Sequence, residues 1–205
     1  MRTDEAADPD EGTVQERAAA YSFDLDEGTL EAFAREFEEQ NEMLAALDTF
    51  GDDEPPKRDY RWADDDEDPL GAFITRTDIS TDVTGMLDDI DIAVKDNIAV
   101  AGVPMTCGSK ILESYHPRRD ATVVSHLLDA GATITGKANM DEFAFGGDKS
   151  TMAYRLARNP RNPEHQPGGS SSGSGVAVAN EQVDAALGSD TGGSVRFPAA
   201  WCGVV

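Results

Sequence analysis

The sequence predicts an α/β fold: an open, mixed and largely parallel sheet with helices on both faces, preceded by an acidic helical N-terminal extension. Two observations support this. From Leu70 onward, segments with helical periodicity alternate with short apolar segments, which is typical of a largely parallel sheet covered on both faces. Before that residue the chain is acidic and contains one long amphipathic segment. We therefore expect two parts, an extension with a linker over residues 1–69 and the α/β part over residues 70–205.

The first part is predicted to contain a helix over residues 29–47. Its apolar residues recur at steps of three and four and form one stripe: Leu30, Phe33, Phe37, Leu44 and Leu47. Asp26 or Thr29 is expected to cap the start of this helix. Residues 51–69 contain a proline pair and an acidic run, and we predict a solvated loop there. A Ca²⁺ site is not expected, since the glycine turn and distal glutamate of such loops are missing.

The second part is predicted to alternate strands and helices. The predicted strands are 91–94, 132–136 and 185–188, and the predicted helices are 121–130 and 174–181. Asp120 is expected to cap the first of these helices, and Gly131 is expected to end it. Its inward-facing residues are predicted to be Val123, Val124, Leu127 and Leu128. Active sites in such sheets lie beyond the strand ends, where we expect Lys95, Ser170 and Ser194.

The composition is strongly acidic, with 40 acidic and 17 basic residues and a formal net charge of −23. An acidic surface of this kind suits a high-salt cytoplasm, because it binds hydrated cations, and it repels nucleic acid. Cys107 and Cys202 have no paired spacing, which fits a reducing compartment. No segment has the apolar length of a membrane span. We expect a halophilic, cytoplasmic protein without direct nucleic-acid or membrane partners.

Two glycine turns carry most of the chemical information. Residues 168–170 and 192–194 are both Gly-Gly-Ser, and helix- and strand-forming residues lie between them, unlike in a flexible linker. A serine held beside exposed backbone N–H groups suits acyl transfer, because these donors stabilise the developing oxyanion. Such a turn also suits phosphate binding, but the Gly-Lys-Ser/Thr of a P-loop is missing. The three histidines are scattered, so neither a metal nor a cofactor is expected.

Three further motifs, which precede these turns along the chain, complete a set that resembles the amidase signature family. Residues 92–98 resemble the lysine motif of that family, and 136–143 and 158–160 fall where its members have similar runs. The resemblance covers about residues 68–205. It implies hydrolysis of amides by a Ser–cis-Ser–Lys triad. Because family members continue well past the position of Val205, it also implies the N-terminal, truncated portion of such an enzyme.

The resemblance assigns the triad to three residues. Ser194 is the expected nucleophile, and Ser170, after a cis peptide bond from Gly169, is expected to relay its proton. Lys95 is the expected base. Because Lys95 follows an apolar strand, desolvation is predicted to lower its pKa from the ordinary lysine range.

Further residues are assigned around this triad. The oxyanion hole is expected from the backbone N–H groups of the nucleophile turn: Thr191, Gly192, Gly193 and Ser194. Three more residues are expected to give support. Ser171 is predicted to hydrogen-bond Lys95, and Asp190 and Arg196 are predicted to fix the nucleophile turn.

The leading interpretation is an amidase that releases ammonia and a carboxylic acid from a small amide, through an acyl-enzyme on Ser194. Residues 68–73 and 102–105 resemble amidases that act on small aliphatic and aromatic amides. An alternative is the glutaminase (A) subunit of a tRNA-dependent amidotransferase, to which 106–110 and 139–143 are similar and which needs partner subunits. A catalytically inactive truncated fragment is the third interpretation. The expected partner is a small-molecule amide, and a homodimer is left open.

Overall fold

The computed structural model of the chain describes residues 11–47, 54–146 and 151–205. The chain divides into two compact units, Met1–Asp53 and Glu54–Val205. Residues from Glu54 onward, which the sequence places in a linker, therefore group with the second unit. None of the helices in the described ranges is long and apolar enough to cross a membrane.

The first unit contains two helices, α1 (Glu11–Ala20) and α2 (Glu27–Leu47). Helix α2 confirms the predicted helix, and its start identifies Asp26 as the cap. The Thr29 backbone N–H donates to Asp26 Oδ1 at 2.9 Å, which lowers the pKa of that carboxyl group. Along the predicted stripe, Phe33 and Phe37 are 46% and 38% exposed. The side chains of Leu44 and Leu47, also in the stripe, lie outside the described residues.

The second unit is built on a five-stranded mixed sheet in the order β1-β2-β4-β3-β5. Its strands are β1 (Tyr60–Trp62), β2 (Phe73–Ile79), β3 (Asp91–Lys95), β4 (Thr133–Ala138) and β5 (Ala185–Leu187). Strand β3 pairs in parallel with both β4 and β5, whereas β2 pairs antiparallel with β1 and β4. The predicted α/β class and its mixed sheet are confirmed.

Strands β1 and β2 were not predicted from the sequence. The loop predicted over residues 51–69 is wrong for Tyr60–Trp62, which form β1. All three residues of β1 are exposed, so the strand has no alternating apolar pattern. In β2 the run from Thr75 to Asp78 is polar, although Thr75 is buried. The Arg76 guanidinium lies 4.0 Å from the centre of the Phe73 ring, which shows how a charged residue is accommodated in this strand.

Helices cover both faces of the sheet, as predicted. They are α3 (Thr122–Asp129), α4 (Ser172–Ala179) and α5 (Arg196–Cys202). Because side chains alternate along a strand, β3 contributes to two cores. Ala93 packs in one core with α4 and α5, and Ile92 and Val94 pack in the other with α3.

Helix α3 differs from the prediction at its cap and on one face. Asp120 does not cap it, because its carboxylate accepts hydrogen bonds from both terminal nitrogens of Arg58, at 2.6 and 2.9 Å, and from Ala101 N at 2.7 Å. The N-cap residue is Ala121, which makes no side-chain cap bond. Val124 and Leu128 are buried, whereas Val123 is 41% exposed, since an eight-residue helix with one core-facing stripe turns that neighbour outward.

Helix α4 begins two residues before the predicted start and lies directly behind the first glycine turn. Its first six residues are all buried. A Cβ on Gly173 would overlap the Ala72 carbonyl oxygen and the Asn139 backbone nitrogen. The small residues of α4 therefore allow its backbone to contact the neighbouring backbone closely, which fixes the position of the preceding turn.

Candidate active site

The predicted lysine and the first predicted serine meet at the carboxyl end of β3. Lys95 is the last residue of β3, and its Nζ donates to Ser170 Oγ at 2.7 Å. Both side chains are fully buried. The second serine turn lies beside the first, because the Ser171 backbone N–H donates to the Ser194 carbonyl oxygen at 3.0 Å. The parallel pairing of β3 with β5 brings these segments to one edge of the sheet.

The environment of Lys95 favours the neutral amine. Burial lowers its pKa from 10.5 to about 8, in the direction predicted from the apolar strand before it. The negative charges of Asp141 and Asp190 act in the opposite direction. A substantial fraction of Lys95 is therefore unprotonated at mildly alkaline pH and able to accept a proton.

Both glycine turns have backbone shapes that their glycines permit. The peptide bond between Gly169 and Ser170 is cis, as the resemblance implies. Gly193 has φ 124°, and a Cβ there would overlap the Phe197 ring. Ser194 is half-buried beside it, whereas Gly192 is exposed. The turn over residues 192–194 is therefore partly open to solvent, whereas Lys95 and Ser170 are fully buried.

Asp190 and Arg196 hold the second turn together. The Asp190 carboxylate accepts hydrogen bonds from the backbone N–H groups of Gly193 at 2.7 Å, Val195 at 3.0 Å and Arg196 at 3.3 Å. The Arg196 guanidinium adds bonds at 3.1 and 3.0 Å. These contacts, with Arg196 first, lower the pKa of Asp190 far below its ordinary value. Because Gly193 N–H donates to Asp190, the other predicted oxyanion donors are those of Thr191, Gly192 and Ser194.

Ser189 occupies the place at Lys95 that the sequence assigned to Ser171. Lys95 Nζ lies 2.8 Å from Ser189 Oγ and 3.3 Å from the Ser189 carbonyl oxygen. Ser171 Oγ instead donates to the Ser189 carbonyl oxygen and accepts from Ser189 N, each at 3.3 Å. Asn97 Nδ2 also donates to Ser189 Oγ, at 3.0 Å. In the sequence, the only sign that Ser189 belongs to the site is its position between β5 and Asp190.

A buried ion pair lies directly behind Lys95, and no sequence pattern pointed to it. Lys137 Nζ lies 3.0 Å from Asp96 Oδ1, and both side chains are fully buried. Asp96 Oδ2 accepts from Thr106 N at 2.9 Å and from Thr106 Oγ1 at 2.5 Å. Asp96 follows Lys95 in the chain, so this pair fixes the backbone just beyond Lys95.

The chain also contains two cysteine thiols, and Cys107 follows Thr106, which binds Asp96. Cys107 and Cys202 are free thiols, and burial raises the pKa of both, that of Cys202 to about 11. Across the three described ranges, no group of three or more His, Cys, Asp or Glu side chains is placed to hold a metal ion. The side chains that hydrogen-bond the Lys95 amine at this edge of the sheet are the hydroxyl groups of Ser170 and Ser189.

A lysine buried against a cis-serine, beside a second serine turn on an α/β sheet, is the arrangement that the resemblance to the amidase signature family implies. Comparison with known families agrees with this arrangement. The family model described as Amidase matches residues 73–205, and the chain belongs to that family.

The similar proteins include several with a more specific name. The chain is 57% identical over 136 residues to the glutamyl-tRNA(Gln) amidotransferase A subunit of Halobacterium salinarum, and 57% identical over 134 residues to that of Natronomonas pharaonis. These matches cover 66% and 65% of this chain but 32% of each relative. The chain thus spans about a third of the length of the curated relatives it matches.

Similar solved structures include an amidotransferase subunit and a peptide amidase. The glutamyl-tRNA(Gln) amidotransferase A subunit of Thermotoga maritima is 50% identical with a TM-score of 0.63, covering 66% of this chain and 30% of that one. The peptide amidase of Stenotrophomonas maltophilia is 39% identical with a TM-score of 0.53, covering 58% and 25%.

Proposed function

We propose that the chain carries the amide-hydrolysing centre of an amidotransferase A subunit, where it releases ammonia from the side-chain amide of glutamine. The observation that supports this most is the 57% identity to relatives with that name. It reverses the order given by the sequence alone, which favoured a stand-alone amidase for small amides. That second candidate is supported by the 39% identity to a peptide amidase.

The reaction begins with proton transfer from Ser194 to Lys95 through Ser170. Ser194 Oγ attacks the carbonyl carbon of the amide and gives its proton to Ser170 Oγ. Ser170, whose oxygen lies 2.7 Å from Lys95 Nζ, passes its own proton to the neutral amine. The base functions only when unprotonated, so the pKa of about 8 sets the pH range of this step.

The negative charge that develops on the carbonyl oxygen is stabilised by backbone N–H groups of the nucleophile turn. Thr191, Gly192 and Ser194 supply these donors, while Gly193 N–H is directed to Asp190. Asp190 and Arg196 thereby maintain the shape of the turn rather than contact the substrate. Loss of one such donor costs roughly 3 kcal/mol of transition-state stabilisation in other enzymes.

Collapse of the tetrahedral intermediate breaks the C–N bond. Lys95 returns the proton through Ser170 to the amide nitrogen, ammonia leaves, and an acyl-enzyme remains on Ser194. Water then attacks the acyl carbon as the same pair accepts its proton, which frees the carboxylic acid and restores Ser194. Every proton is returned within the triad, so the cycle requires no cofactor.

The proposed partners follow from the amidotransferase assignment. Glutamine is the small-molecule substrate, and further subunits would receive the ammonia. We also retain three predictions from the sequence: a homodimer, a cytoplasmic location and a halophilic source. The net charge of −23 and the 57% identity to a Halobacterium protein support the halophilic one.

Labelling with a serine-reactive fluorophosphonate in molar KCl, with the adduct mapped by mass spectrometry, tests this proposal. We expect the adduct on Ser194 and none in Ser194→Ala. Glutamine should slow the labelling more than an equal concentration of propionamide does. Protection by propionamide alone would favour the stand-alone amidase, and an unlabelled Ser194 would contradict the mechanism.

A further inference from the structure

In the described part of the chain, the Lys95 amine makes three hydrogen-bond contacts, and two of them are to Ser189, a residue outside the proposed triad. Lys95 Nζ contacts Ser170 Oγ at 2.7 Å, Ser189 Oγ at 2.8 Å and the Ser189 carbonyl oxygen at 3.3 Å. An ammonium group has three N–H bonds, so each finds an acceptor in the protonated state. The number of contacts matches the charged form of Lys95.

The neutral amine must use the same three contacts differently. It has two N–H bonds and one lone pair, and only a contact that can donate a proton can meet the lone pair. The Ser189 carbonyl oxygen only accepts, so it takes one N–H. If Ser189 Oγ accepts the second N–H bond of the amine, the nitrogen lone pair is directed at the Ser170 hydroxyl. That hydroxyl then donates its proton to the lone pair.

Asn97 holds the Ser189 hydroxyl oxygen in place. Its Nδ2 donates to Ser189 Oγ at 3.0 Å, and its Oδ1 is buried without a hydrogen-bond partner in the described part of the chain. The Ser189 hydroxyl oxygen therefore accepts from both Asn97 and Lys95, which uses its two lone pairs. In the reverse arrangement the Ser189 hydroxyl would donate to the lone pair of Lys95 Nζ. That lone pair would then be unable to accept the proton of Ser170.

We propose that Ser189 is a positioning residue that holds both N–H groups of neutral Lys95 and so directs its lone pair at Ser170. Ser171 keeps Ser189 in place through both backbone groups of Ser189, at 3.3 Å each. This inference rests on the proposed function, in which Lys95 is the base for Ser170.

The charges around Lys95 determine how loss of the hydroxyl would be observed. The negative charges of Asp141 and Asp190 act on the amine, and the Asp96–Lys137 pair begins at the residue that follows Lys95 in the chain. The Ser189 hydroxyl is an uncharged acceptor that favours the ammonium form over the amine. Its removal therefore lowers the pKa of Lys95 further, with all four charged groups still in place.

The test compares Ser189→Ala with Ser189→Thr, which keeps the hydroxyl. The matched control is Ser174→Ala, whose Oγ donates to Leu187 O at 2.9 Å on β5 and does not contact Lys95. Two quantities are measured: the rate of fluorophosphonate labelling of Ser194, and the titration of Lys95 by its ¹³Cε NMR resonance. With five lysines in the chain, Lys95→Gln assigns that resonance.

We expect Ser189→Ala to slow labelling about tenfold or more and to shift the Lys95 titration to lower pH. Ser189→Thr should restore both, and Ser174→Ala should change neither. Should Ser189→Ala not fold, Ser189→Cys keeps the volume with a weaker acceptor and gives the same comparison.

The outcomes separate this inference from the proposed function. Wild-type labelling and titration in Ser189→Ala would overturn the role of Ser189 and leave the proposed function intact. The opposite result is an unlabelled Ser194 in the wild-type chain together with a Lys95 titration that shifts in Ser189→Ala. In that case the contact of Ser189 with Lys95 would be supported and the proposed function would be wrong.

Discussion

Within the described ranges, the buried Lys95 amine hydrogen-bonds hydroxyl and carbonyl oxygens rather than carboxylates. An ion-paired lysine would stay protonated, whereas this one is desolvated and its pKa falls to about 8. That difference supports the proposed role of Lys95 as the base. Lys137, by contrast, pairs with the Asp96 carboxylate at 3.0 Å.

The first prediction concerns pH. Because only unprotonated Lys95 accepts a proton, the rate of Ser194 labelling should rise about tenfold per pH unit below pH 8 and level off above it. Lys95→Arg should abolish the labelling. Lys110→Arg, at an exposed lysine paired with Glu113, should leave the profile unchanged. A profile that is flat between pH 6 and pH 9 would contradict the role of Lys95.

The second prediction concerns the charge of Asp190. Asp190→Asn removes the ion pair with Arg196 and a negative charge that raises the pKa of Lys95. We expect labelling to slow about tenfold or more, and the midpoint of the pH profile to move to lower pH. Glu113→Gln, an exposed control, should move neither. A midpoint unchanged in Asp190→Asn would show that Asp190 acts only on the turn.

Sequence patterns predict the site where a residue type is chemically distinctive. Lys95 at the end of an apolar strand and two Gly-Gly-Ser turns are such cases. Ser171 was wrongly predicted to contact Lys95, since neighbouring serines cannot be told apart before the chain is folded. Ser189 and the Asp96–Lys137 pair were missed because their importance depends on partners distant in sequence.

At the scale of elements, helix α4 depends on small residues for its close approach to the sheet. The third prediction is that Gly173→Ala destabilises the fold by about 1–3 kcal/mol, since its Cβ would overlap the backbone of Ala72 and Asn139. Urea unfolding measures this. Gly28→Ala in α2, where the nearest atom would be 3.5 Å away, should not destabilise the chain. Equal stabilities for both variants would refute the packing argument.

The fourth prediction concerns the ion pair between β3 and β4. Lys137→Met should cost about 3–5 kcal/mol, because it leaves the Asp96 charge buried without its cation. Adding Asp96→Asn should restore part of that loss. The exposed pair Lys110–Glu113 is the control, and Lys110→Met should cost less than about 1 kcal/mol. Similar costs for the two lysines would show that burial does not matter here.

Elements with strong apolar patterns were predictable, and those held by tertiary contacts were not. Strands β3 and β4 and helix α3 are apolar enough to be found from sequence. Exposed β1 and polar β2 are strands because they pair with their neighbours. Asp120 has the residue type of a helix cap, yet the bidentate bond to Arg58 takes its carboxylate.

For the whole molecule, the dominant physical quantity is the net charge of −23. Mutual repulsion of so many carboxylates destabilises the compact state at low ionic strength. The fifth prediction is that the melting temperature rises with KCl, most steeply below about 1 M, where the Debye length falls from about 10 to about 3 Å. Sucrose at equal osmolality should raise it less. A melting temperature independent of KCl would argue against a halophilic protein.

The pairing of β3 with β5 also determines when the site comes into existence. Lys95 meets Ser170 and Ser189 from 75 and 94 positions away in the chain, so no local segment can form the base on its own. Long-range pairings of this kind form late, after the entropy of closing a large loop has been overcome. We therefore expect labelling of the proposed nucleophile Ser194 to appear during refolding only after β5 has paired with β3.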